Sequence, residues 1–148
     1  MEIYIDSKQR KIDIEPEEIR KKTERILEGL GCNPDSVLSI AFVDAIEMAE
    51  LNRMYLGRKG PTNVLSFSQR EGAEPSPHPN LLGDVVICAD VALKEAAELG
   101  YEEHQMVTYL LIHGILHLLG HTHEQLDDSE AMSSQAERIF HQFCPEEA

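Results

Sequence analysis

Four of the seven histidines in this chain fall inside His113–His123, a stretch that reads HGILHLLGHTH. On an α-helix each residue advances about 100°, so His113 and His117 stand about 40° apart on one face. Their Cβ atoms then lie about 5–6 Å apart, close enough for two imidazoles to share one cation. Gly120 permits a positive φ, which ends the helix and turns the chain back. His123 follows that turn and can approach the same ion from a third direction. Three neutral imidazoles leave a fourth position for water, the open arrangement of a catalytic zinc site. His121 is the rival third ligand. The ten-residue spacing from His113 favours His123, and His121 then lies outside the ligand set or faces solvent. His78, His104 and His141 stand apart from the cluster and read as surface residues.

The same spacing occurs in the metzincin pattern HExxHxxGxxH. The residues at matching offsets are His113, His117, Gly120 and His123, and the glutamate base of that pattern is replaced by Gly114. The metal-binding geometry is therefore expected without the peptidase's base. No catalytic side chain is identified, and that role falls to metal-bound water. Leu110, Leu111, Ile112, Ile115, Leu116, Leu118 and Leu119 make this helix apolar on nearly every side, so it is expected to be buried. Unpaired imidazoles there would cost free energy that a shared metal relieves.

The elements that must position these residues follow from pattern and punctuation. Strands are expected at Glu2–Asp6, Ser36–Val43, Val64–Phe67 and Asp84–Cys88. The second is so apolar that it reads as buried on both faces. Helices are expected from Pro16 to about Leu30, from Ala45 to Tyr55 behind an Asp44 cap, and from a cap at Asp90 to Leu99. Two more are expected from Glu102 to Leu119 and from Asp127 to Phe143. The proline-rich stretch 70–83 reads as an exposed loop. Asp84 reads as a strand-end acid. About four strands and five helices in 148 residues indicate one α+β domain spanning 1–148, with a small mixed sheet and a zincin-like metal-binding helix.

Composition narrows the class. Apolar residues make up 42% and charged residues 27%, a globular profile. No apolar run is long enough for a membrane span, and the start of the chain lacks a secretory leader's pattern. Cys32, Cys88 and Cys144 are odd in number and far apart, and read as buried free thiols rather than a disulfide framework. A cytoplasmic location is expected. The net charge of −14 would repel nucleic acid if it were spread evenly. Yet residues 53–70 carry Arg53, Arg58, Lys59 and Arg70 with no acid, a candidate anion site. Tyr55 and Phe67 are the nearest aromatics for stacking on bases, and both read equally well as core.

With these residues in view, the chain resembles the bacterial YbeY family of zinc-dependent endoribonucleases. Its HGxLHLxGxxH signature appears as His113–His123, its PTDVLSF segment as Pro61–Phe67 (PTNVLSF), and its LGDI strand as Leu82–Val86. The resemblance implies an α+β fold and one zinc on His113, His117 and His123. It also implies cleavage of single-stranded RNA, in small-subunit ribosomal RNA 3′-end processing and ribosome quality control. Ribosomal RNA, ribosomal proteins or the small subunit are the partners so implied, and no membrane. Two positions depart from the family: His121-Thr122 stands where Tyr-Asp is usual, and Leu56 stands where an arginine implicated in cleavage is usual. Arg58, Lys59 or Arg53 is the candidate replacement for that cation, and Gly114 and Gly120 are the motif's glycines. Metallopeptidase activity, or a non-catalytic ribosome-assembly role with a structural zinc, are the alternative functions.

Overall fold

The computed structural model describes residues 1–69, 80–120 and 126–143, without the side chains of 126–133. In chain order the elements are β1 (Glu2–Ser7), α1 (Pro16–Gly29), β2 (Val37–Val43), α2 (Ala45–Leu56) and β3 (Val64–Ser68). Then follow β4 (Leu81–Cys88), α3 (Ala89–Leu99), α4 (Glu103–Leu118) and α5 (Leu126–Phe143). The strands form one mixed sheet in the order β1-β2-β4-β3. β1, β2 and β4 are parallel, and β3 pairs antiparallel to β4, placing Val64 opposite Ile87 and Ser68 opposite Gly83. This is the expected α+β architecture.

Local chemistry sets most of the boundaries. Pro16 opens α1, where its missing N–H costs nothing. The Asp44 side chain accepts the Glu47 amide at 2.9 Å and caps α2, which Gly57 ends in the left-handed region. α3 departs from expectation. Its N-cap position is Cys88 and has no side-chain cap, because the Asp90 carboxylate is engaged elsewhere. Asp90 accepts the Ala45 amide at 2.6 Å and pairs with Lys11 at 2.6 Å, joining the segment after β1 to the starts of α2 and α3.

The two faces of the sheet are covered unequally. Ile3, Leu38, Ile40, Phe42, Val85 and Ile87 pack under α1, α3, α4 and α5 in the main core. On the other face Val43, Leu65, Val86 and Cys88 meet Met48 of α2 in a smaller cluster. β2 is therefore not buried on both faces. Leu38, Ile40 and Phe42 are buried while Val37, Ser39 and Ala41 are half-buried, since one twelve-residue helix spans only about 18 Å of that face. Asp84 is likewise no strand-end acid: it lies inside β4, beside Ser39 and Phe67 on this open face. Cys88 is a buried free thiol as expected, Cys32 is only half-buried because it lies just past the end of α1 at the margin of the core, and Cys144 lies outside the described residues. Among the described residues no helix is long and apolar enough to cross a membrane.

Candidate metal centre

α4 is the element that carries the histidines, and its N-terminus is held by a reciprocal cap. The Glu102 side chain accepts the Gln105 amide while the Gln105 side chain accepts the Glu102 amide. From Gln105 to Leu118 every residue is buried except Tyr109, His113 and His117, which are half-buried. These three recur at intervals of four and form the one open stripe of this stretch. His113 and His117 thus share a face, as their spacing predicts.

Gly114 explains itself by packing. A Cβ added there would stand 2.6 Å from Val85 Cγ1 and 3.2 Å from Val64 Cγ2, both on the sheet. Its carbonyl accepts the Ser66 hydroxyl at 2.8 Å, tying β3 to the helix. Position 114 therefore faces the sheet, and a glutamate base has no room there. Gly114 lies in the body of α4, so of the two motif glycines only Gly120, with φ 91°, makes a turn.

The Nε2 atom of His113 is buried and has no hydrogen-bond partner among the described residues. Burial, and secondarily the neighbouring His117, hold this imidazole below the ordinary histidine pKa. It is therefore neutral at pH 7, the form that ligates a metal. A buried nitrogen without a partner, one turn from a second histidine, fits a metal ligand. Among the described residues no three histidine, cysteine or carboxylate side chains converge on one point. His123 and its rival His121 lie outside the described residues, as does His78. His104 is exposed beside Glu102 at 2.7 Å, and His141 is exposed, in keeping with surface roles.

The basic segment is built differently from its sequence reading. Arg53 pairs with Glu50 at 2.6 Å, both side chains staying exposed, so part of its field is offset by that carboxylate. Arg58 and Lys59 are exposed in the loop between α2 and β3, and Arg70 lies outside the described residues. Buried Asn52 anchors that loop by donating to the Gly60 carbonyl at 2.8 Å. The loop enters β3 at Val64, near Gly114, whereas Leu118 meets Gly83 at the far end of the strand. The two ends are about 13 Å apart by strand rise. Tyr55, three residues before Arg58, packs on Phe67 beside Gly83, so the end of α2 that leads into Arg58 and Lys59 reaches the same end of β3 as Leu118, the neighbour of His117.

Between α2 and the open sheet face runs a groove of about 500 Å³, lined by Tyr4, Asp6, Ser39, Asp84, Tyr55 and Phe67 among others. Tyr55 and Phe67 meet edge to face at 5.1 Å, and Tyr55 is 60% exposed, so it is a surface residue rather than core. Leu56 is also exposed. Sequence reasoning missed Tyr109, Ser66 and Asn52. Tyr109 stands four residues before His113, so helical spacing alone could have placed it on the histidine stripe.

A buried helix presenting histidines one turn apart beneath a four-stranded mixed sheet, with the peptidase base sterically excluded, defines an α+β protein of the histidine-helix type. The chain belongs to the endoribonuclease YbeY family, whose match covers residues 4–144. The endoribonuclease YbeY of Syntrophotalea carbinolica is 42% identical over 134 residues, 90% of this chain and 89% of that protein. That of Geobacter metallireducens is 41% identical over 142 residues, 95% of this chain and 94% of the relative. The solution structure of TM1509 from Thermotoga maritima aligns with a TM-score of 0.66 at 23% identity, over 97% of this chain and 90% of that one. That last likeness concerns the fold.

Proposed function

We propose that this chain is a zinc-dependent endoribonuclease that cleaves single-stranded RNA. It acts in the cytoplasm on ribosomal RNA, at the 3′ end of the small-subunit RNA and in ribosome quality control. Residues 1–148 work as one domain, and ribosomal proteins or the small subunit present the RNA. The names of the relatives support the reaction, and the buried Nε2 of His113 without a partner carries the assignment of the metal. His113, His117 and His123 hold the zinc. Bound there, it supplies Lewis-acid polarisation of a phosphoryl oxygen and a water acidified to a pKa of about 7. Neutral His113 is ready to ligate without first losing a proton. Arg58 and Lys59 hold phosphates by charge, and Tyr55 and Phe67 offer ring faces to unpaired bases.

The test combines metal content with cleavage of a defined single-stranded RNA and its duplex. Wild type is expected to hold about one zinc per chain and to cut only the single strand. His113→Ala and His117→Ala lose both properties, and His121→Ala keeps both. Wild-type protein without stoichiometric zinc, or undiminished cleavage by His117→Ala, would overturn the assignment.

A further inference from the structure

The stripe that carries His113 and His117 has a third member, and it is aromatic. Tyr109 lies one turn before His113, and the two rings are 4.4 Å apart between centroids, tilted by 45°. Tyr109 is itself wedged. Phe140 of α5 meets it edge to face at 5.7 Å, and Tyr101, from the turn before α4, lies 6.5 Å away. Tyr101 and Phe140 also touch each other at 5.5 Å, and Phe140 is 3% exposed, so a buried ring backs Tyr109. Rings locked in this way have little room to turn.

Nε2 of His113 is the nitrogen left open for the metal, so whatever aims the ring must act elsewhere on it. An imidazole ligand is ordinarily aimed by a partner on the ring, and loss of that partner costs about 10–100-fold in metal affinity. Here the neighbouring ring is in a position to do that work. We infer that Tyr109 is a positioning residue for the metal centre: its ring, backed by Phe140 and Tyr101, sets the orientation of the His113 imidazole before metal arrives. The inference rests on His113 being a zinc ligand. It assigns the work to the ring face and edge, so the hydroxyl is dispensable.

Zinc affinity is measured by competition with a chelator for wild type, Tyr109→Phe and Tyr109→Leu. Metal-free melting temperatures are recorded beside them. Tyr109→Phe should bind as wild type does. Tyr109→Leu should bind about ten-fold more weakly while melting within a few degrees of wild type, because leucine keeps the site apolar. Ring relaxation of His113 by NMR in the metal-free wild type is the second measurement, and it should show an ordered imidazole. That measurement decides if Tyr109→Leu does not fold. Wild type that binds no zinc would overturn the metal reading itself. Zinc binding by wild type with equal affinity in Tyr109→Leu, or a freely rotating His113 ring, would overturn the role of Tyr109 alone. A Tyr109→Phe variant as weak as Tyr109→Leu would move the role from ring to hydroxyl and overturn the inference as stated.

Discussion

A Cβ at position 114 has nowhere to go, because Val85 is fully buried and β-branched and cannot swing aside. Gly114→Ala would gain about 1 kcal/mol of helix propensity. Overpacking against the sheet costs more than that, so a net loss of about 1–2 kcal/mol in urea denaturation is expected. Stabilisation instead would mean that α4 can lift off the sheet. His113 provides a second prediction at this scale. Its folded pKa is depressed by burial, so below about 6.5 the unfolded chain binds protons that the folded chain refuses. The metal-free protein keeps the stability contributed by neutral His113 above that pH and loses it as the pH falls below. His113→Gln should flatten the decline between pH 7.5 and 5.5. An unchanged slope would show that the imidazole is not desolvated.

At the scale of elements, Asp90 is where three segments meet. Its carboxyl is held below the usual range by the Lys11 ammonium and further by the Ala45 amide, while partial desolvation opposes both. Its stabilising effect is thus present at neutral pH and is lost as acid takes the pH down through the depressed pKa. Asp90→Ala removes an added cap from α2 and should cost about 1 kcal/mol, since solvent screens much of the ion pair. Urea midpoints at pH 7 and pH 3 check this: the variant should fall below wild type at pH 7 and approach it at pH 3. A deficit equal at both values would mean that packing, and not the carboxylate, is responsible. The start of α1 and both ends of α2 were legible beforehand because Pro16, Asp44 and Gly57 act on their own backbone neighbours. Asp90 was misread as a cap for α3 because its partners, Lys11 and Ala45, are distant in sequence.

Across the whole molecule, charge decides where RNA can lie. The chain outside residues 53–70 sums to −18, and Asp6 and Asp84 add two carboxylates to the groove on the open face. Those carboxylates repel phosphates even where Tyr55 and Phe67 offer ring faces to bases, so the attractive charge should come from Arg58 and Lys59. Arg58→Ala with Lys59→Ala should weaken RNA binding and reduce its salt slope by about two at most. Both side chains are exposed, so the melting temperature should hardly move. Arg53→Ala should do less, since the neighbouring Glu50 carboxylate offsets part of that charge. Affinity across a salt series for the three proteins is the measurement. Equal slopes in all of them would leave the loop without a part in binding.

Residue type and local spacing were enough for the histidine pair on one helix face, the glycine turn at Gly120 and the count of strands and helices among the described residues. Each of these depends on backbone periodicity or on bonds within a few residues. The same spacing marked Gly114 as a missing base, but only the sheet beneath α4 shows why: Val85 and Val64 come from distant strands and fill the space a side chain would take. Tertiary structure also made β2 half-open, placed Tyr55 on the surface, set Asp84 in a groove and seated Tyr109 against His113. Those outcomes turn on which face α2 leaves uncovered and which rings α5 brings to α4. Contacts between segments so far apart in the chain leave no periodic trace in either.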